Sequence, residues 1–179
     1  MIRSTLILMI GLCVPHLALA DGGNPLEYEV KAAYLYKFGG FVAWPASVFT
    51  SPQSPLNVCV VGEDPFDGIL DRAIDGHSIG DHPVVVHRMK NVTRETECQI
   101  LYVGGSNVRH VSQTLDAVRG NGVLTVTDAA NGEDAGAIVQ FVIQDNRVRF
   151  VVNNNAAVTN GLVISSKLLS IALAVKSKP

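Results

Sequence analysis

Leu56-Asn57-Val58-Cys59-Val60-Val61-Gly62-Glu63-Asp64-Pro65 is the stretch that decides the fold. A short apolar run rich in β-branched residues, closed by a glycine turn, predicts a buried strand over Leu56 to Val61. Asp64 then reads as a helix N-cap, with Pro65 at the first helical position, and the helix runs to about Ile74. A strand that feeds a helix is the unit of a parallel α/β sheet.

Moving outward, the alternation repeats. Val84-Val85-Val86 follows the turn-rich stretch Gly76 to Pro83 as a second strand, and Thr93 to Glu97 reads as a single helical turn. Gln99 to Val103 is a third strand. Gly104-Gly105-Ser106-Asn107 opens a helix with Val108, Val111, Leu115 and Val118 at helical spacing, and Val123 to Val126 is a fourth strand. Ala137 to Ile143 and Val148 to Val152 flank Gln144-Asp145-Asn146-Arg147, a turn of hairpin type. The expected fold is therefore α/β: one domain, a mostly parallel sheet covered by helices on both faces, with an antiparallel hairpin near the C-terminus.

Both ends predict helices apolar on more than one side. Glu27 to Phe41 places Val30, Ala33, Tyr34, Phe38 and Phe41 on one face and Tyr28, Ala32, Leu35 and Tyr36 on a second, and Phe41-Val42-Ala43-Trp44-Pro45 leads out of it. From about Asn155 a last helix carries Ile164, Leu168, Ile171, Ala172 and Val175, with Leu162, Leu169 and Leu173 on another side. Two apolar sides suit burial combined with a contact to another chain, although a fully enclosed helix reads the same way.

The extreme N-terminus reads as an address. Arg3, the apolar run Leu6 to Val14, and Ala18-Leu19-Ala20 before Asp21 have the pattern of a cleaved secretory signal peptide over residues 1–20. Pro15 and His16 interrupt the run well before the roughly 20 residues that a membrane span needs. Residues 21–179 then have the length of one ordinary domain. An exported chain that loses Cys13 keeps Cys59 and Cys98, an even pair in an oxidising compartment, which suggests a disulfide. It would close a loop of about 40 residues and stabilise by about 4 kcal/mol. The pair reads first as a staple, with a redox-sensitive switch next and two buried free thiols as the remaining alternative. No Cys-x-x-Cys motif points to thiol catalysis.

Composition excludes several classes of function. Fourteen basic residues face 16 acidic ones, and no basic run is present to bind nucleic acid. There is no Gly-x-Ser-x-Gly elbow, His-Glu-x-x-His helix or phosphate-binding Gly-x-x-x-x-Gly-Lys loop, so the usual catalytic signatures are missing and no cofactor is expected. His77, His82, His87 and His110 match no common zinc spacing, so no metal is expected. Gly62, Gly104, Gly105 and Ser106 fall at the carboxyl ends of parallel strands, where open α/β sheets bind small ligands. Backbone N–H groups at the helix start there would accept an anion, although any tight turn at this point wants glycine.

Three separated segments carry a resemblance. Tyr28 to Phe38 followed by Phe41-Val42-Ala43-Trp44-Pro45, Val58 to Phe66, and Val148-Arg149-Phe150 with Asn153, Ala157 and Gly161 to Leu169 resemble, in that order, the YfiR family of periplasmic regulators. The last of these includes Ile164-Ser165-Ser166-Lys167-Leu168-Leu169, similar to the family's C-terminal signature.

The resemblance implies a periplasmic, non-enzymatic repressor of an inner-membrane diguanylate cyclase, YfiN, relieved when an outer-membrane lipoprotein, YfiB, sequesters it. It also implies a homodimer and disulfide-dependent stability, and Cys59 and Cys98 fit the expected pair. Some relatives carry a second pair near the final hairpin, whereas Gly132 to Phe141 contains no cysteine here. Tyr36, Phe41, Trp44, Leu162, Leu169 and Leu173 are the expected partner-binding residues. The alternative is a periplasmic module that senses a small molecule for another membrane receptor, with its ligand at Gly62, Gly104, Gly105 and Ser106.

Overall fold

Apolar alternation along the central strands builds a two-faced sheet. The computed structural model describes residues 25–177 apart from residue 133, so the expected leader at residues 1–20 lies outside the described residues. The chain opens with α1 (Pro25–Lys37), a single 3-10 turn (Phe38–Phe41) and β1 (Val42–Ala43). The middle runs β2 (Leu56–Gly62), α2 (Gly68–Ile74), β3 (Ser78–Ile79), β4 (His82–Met89), β5 (Ile100–Gly104), α3 (Val108–Ala117) and β6 (Leu124–Thr127). It closes with β7 (Val139–Gln144), β8 (Arg147–Asn153), α4 (Asn154–Thr159), β9 (Val163–Ile164), α5 (Ser166–Ile171) and β10 (Ala174–Lys176).

Eight strands form one sheet in the order β10-β8-β7-β6-β5-β2-β4-β3. Strands β4, β2, β5, β6 and β7 run parallel, and β7 and β8 form the expected antiparallel hairpin around Asp145 and Asn146, both at positive φ. That left-handed backbone suits asparagine and aspartate in a tight hairpin turn.

Successive residues of a strand point to opposite faces, and the core divides accordingly. Val58 and Val60 of β2, Ile100 and Tyr102 of β5, and Leu124 and Val126 of β6 share one core with Ala32 and Leu35 of α1 and Leu70 and Ile74 of α2. Cys59, Val61, Leu101 and Val103 face the other way, onto Val111 and Leu115 of α3. Helices thus cover both faces.

Three local expectations are corrected. Asp64 does not cap a helix: its Oδ1 accepts the Phe66 N–H at 2.9 Å, its Oδ2 accepts Arg88 Nε at 2.6 Å, and α2 waits until Gly68. Phe66 is fully buried against Tyr28 and Tyr102, and inserting that ring holds the chain out of helical geometry for three residues. Thr93 to Glu97 makes only a turn, with Thr96 N–H donating to Thr93 O.

The long final helix is instead α4, β9, α5 and β10. Asn160 ends α4 because its amide donates to Val123 O at 2.9 Å and accepts Gly120 N–H at 2.8 Å, and Gly161 turns the chain at φ +72°. Ser165 then caps α5, and Leu173 N–H donates to Phe150 O as the chain becomes β10 beside β8. Leu162, Ile164 and Leu168 are buried, as their apolarity requires, but Leu162 lies in the turn before β9, Ile164 on β9 and Leu168 on α5.

Candidate functional site

Two places on this scaffold concentrate the chemistry. One is the carboxyl edge of the parallel sheet. The chain leaves β2 toward β4 on one side and builds β5 on the other, so β2 and β5 flank the point where strand order reverses, the usual ligand crevice of an open α/β sheet.

Gly62 and Gly104 end those strands and serve their close approach. A Cβ on Gly104 would lie 1.9 Å from Glu63 O, and one on Gly62 would lie 2.3 Å from Gly104 O. Gly105, at φ +117°, and Ser106 line a cleft of about 230 Å³ with Tyr28, Glu63, Tyr102 and Asp128. The Tyr102 hydroxyl is buried there with no hydrogen-bond partner. Burial first, then the Asp128 carboxylate facing it, pushes its pKa far above the ordinary phenol value.

Lys31 sits behind the cleft. It is only 3% exposed, and its ammonium reaches Glu27 Oε1 at 2.6 Å and Asp128 Oδ2 at 2.7 Å, with the Tyr28 ring 4.6 Å away. Burial alone would lower its pKa, but the hydrogen bonds to Asp128 and Glu27 outweigh burial and raise it. Glu27 and Lys31 are one helical turn apart and could have been paired from the sequence. Asp128 and Tyr102 gave no such signal, because only the fold brings the end of β6 beside α1.

The second place is where two terminal segments meet. β1 pairs antiparallel with β9, placing Val42 opposite Ile164 and Ala43 opposite Val163, and Ser165 N–H donates to Phe41 O at 2.9 Å. Phe41-Val42-Ala43-Trp44-Pro45 therefore lies against Ile164-Ser165-Ser166-Lys167. The loop beyond Trp44 is held by buried Gln99, whose amide donates to Val48 O at 2.9 Å and accepts Asn57 N–H at 2.8 Å.

Of the six expected contact residues, Tyr36 and Leu162 are buried, with the Tyr36 ring stacked on His77. Phe41, Trp44 and Leu169 are half-buried and Leu173 is exposed. The Trp44 indole stands edge-on to Phe49, and its Nε1 is buried without a partner. Val163 and Ile171, which the sequence reading did not single out as contacts, are 68% and 52% exposed.

Cys59 and Cys98 form a disulfide with Cα atoms 6.0 Å apart, linking the middle of β2 to the approach to β5. Both cysteines are buried on the α3 face, away from either surface. The histidines do other work: His82 stacks on Phe49 and its Nδ1 lies 2.6 Å from Ser54 O, while His87 Nε2 lies 3.0 Å from Asn57 Oδ1. Among the described residues no three His, Cys, Asp or Glu side chains are grouped to hold a metal, and no helix is long and apolar enough to cross a membrane.

These features define an open, mostly parallel α/β module with a small crevice at its strand ends, an internal disulfide and partly exposed apolar residues around the β1–β9 ribbon. The chain belongs to the YfiR/HmsC-like family (DUF4154), whose model matches residues 28–173. Membership supports a periplasmic regulatory role in general. No curated protein matches the chain. Among solved structures it is similar to a conserved domain protein from Vibrio cholerae O1 biovar El Tor strain N16961, with a TM-score of 0.53 and 13% identity. The similarity covers 68% of this chain and 55% of that one, so the chain spans about half of that protein, and the likeness is one of fold.

Proposed function

We propose that the chain is exported by the leader at residues 1–20 and acts as a negative regulator of an inner-membrane diguanylate cyclase of the YfiN type, lowering cyclic-di-GMP. A YfiB-like outer-membrane lipoprotein would relieve it, and a homodimer would be its working form. The observation that carries this reading is the joining of the two signature segments at β1 and β9, which gathers Phe41, Trp44, Val163 and Leu169 on one part of the fold. Family membership supports a membrane signalling partner in general.

Regulation requires unequal affinity. A repressor that bound the active and inactive forms of the receptor equally would shift nothing, so this one must favour the inactive form. The test deletes the gene in the organism that encodes it and measures cellular cyclic-di-GMP. A rise is expected, reversed by the full chain and not by a chain lacking residues 1–20; an unchanged level would overturn the repressor reading. The second reading, a small-molecule sensor, is supported by the orphaned Tyr102 hydroxyl at the strand-end cleft.

A further inference from the structure

Two carboxylates line the cleft at the ends of β2, β5 and β6, and an ammonium with a third carboxylate stands behind it. Glu63 and Asp128 line it, and Asp128 shares the Lys31 ammonium with Glu27. One cation serving two carboxylates leaves an excess of negative charge even before Glu63 is counted. The start of α3 contributes the opposite polarity, worth about half a charge at most, and its cap Asn107 is engaged with the His110 N–H.

The Tyr102 hydroxyl lines the same cleft, buried and unpartnered. An unmet buried hydroxyl destabilises the folded state. A ligand donor reaching it would remove that cost.

We propose that this cleft binds a small organic cation carrying a primary ammonium, whose N–H groups are received by Asp128, Glu63 and the Tyr102 hydroxyl beside the Tyr28 ring. The volume, about 230 Å³, suits a metabolite of modest size and is too small for a drug-sized molecule or a folded peptide. The proposal gives the sensor reading its ligand class, while binding itself requires no receptor.

The test uses the purified exported chain with 1,4-diaminobutane as probe, and with 1,4-butanediol and succinate as its uncharged and charge-reversed counterparts. Titration calorimetry and thermal unfolding should show saturable binding and a rising Tm for the diamine alone. Glu63 is exposed, so Glu63→Gln should leave the unliganded Tm unchanged while weakening diamine binding about tenfold. Tyr102→Phe should weaken it too. No binding of the diamine, an equal response to the diol or succinate, or undiminished binding in Glu63→Gln would overturn the proposal. Even if Tyr102→Phe fails to fold, Glu63→Gln decides. Failure here leaves the repressor reading intact, and an unchanged cyclic-di-GMP level leaves the amine site intact.

Discussion

The Lys31 ammonium lies 2.7 Å from the Asp128 carboxylate, 97 residues away in the chain. This contact ties the first helix to the end of β6 and sets one wall of the strand-end cleft. Lys31→Met would leave Glu27 and Asp128 facing each other without a cation. Urea unfolding should show a loss of about 3 kcal/mol, the usual result of removing one member of a buried ion pair. A loss within error of zero would mean that the pair only just offsets its own desolvation.

Alkaline pH should act on the same wall. A lysine whose folded pKa is raised contributes stability that is complete below its unfolded value, about 10.4, and is lost as pH rises through the folded value. Tyr102 works in the same direction, because the native state keeps a proton that the unfolded chain sheds above about pH 10. Stability measured from pH 9 to 11.5 should therefore fall steeply, and Tyr102→Phe should make the descent shallower.

The disulfide is expected to act as a staple. Cys59→Ala with Cys98→Ala should cost about 4 kcal/mol from the relaxed unfolded state, seen as a Tm lowered by roughly 8–16 °C. Circular dichroism of the survivor should keep the α/β signature, since the bond lies inside a sheet already paired through β2 and β5.

Gly104→Ala should destabilise by about 2 kcal/mol, because the new methyl meets backbone at 1.9 Å and the neighbouring strand end must move. Gly40→Ala provides the contrast: nothing lies within 4 Å of a Cβ there, so thermal unfolding should register no loss.

Leu173→Glu changes an exposed residue. It should leave Tm within about 2 °C of the parent, as surface changes usually do. Capture of the receptor's periplasmic domain from solubilised envelope should drop sharply. Full capture would remove the C-terminal segment from the proposed contact surface.

Strand identity was legible because each central strand is a compact β-branched run bounded by glycine turns, as at Val58 to Gly62 and Gln99 to Gly104. The last helix was illegible for a reason of the same kind. Leu162, Ile164 and Leu168 are apolar because a turn, a short strand and a short helix must each be buried, and spacing alone cannot tell that from one continuous helical face. What breaks the helix is Asn160 reaching Val123 and Gly120, a contact made across the fold. The cleft was half legible: its glycine turn announced itself, whereas Tyr102 and Asp128 became neighbours only through strand order.

The ladder between β1 and β9 bears on the timing of folding as well as on its outcome. A chain synthesised N-terminus first presents Val42 and Ala43 long before their partners Ile164 and Val163 exist. The ribbon cannot close until nearly the whole chain has been made, so an incomplete chain leaves the Phe41 to Pro45 segment without its partner strand, and the two ends of the sequence must both be present before either is ordered there.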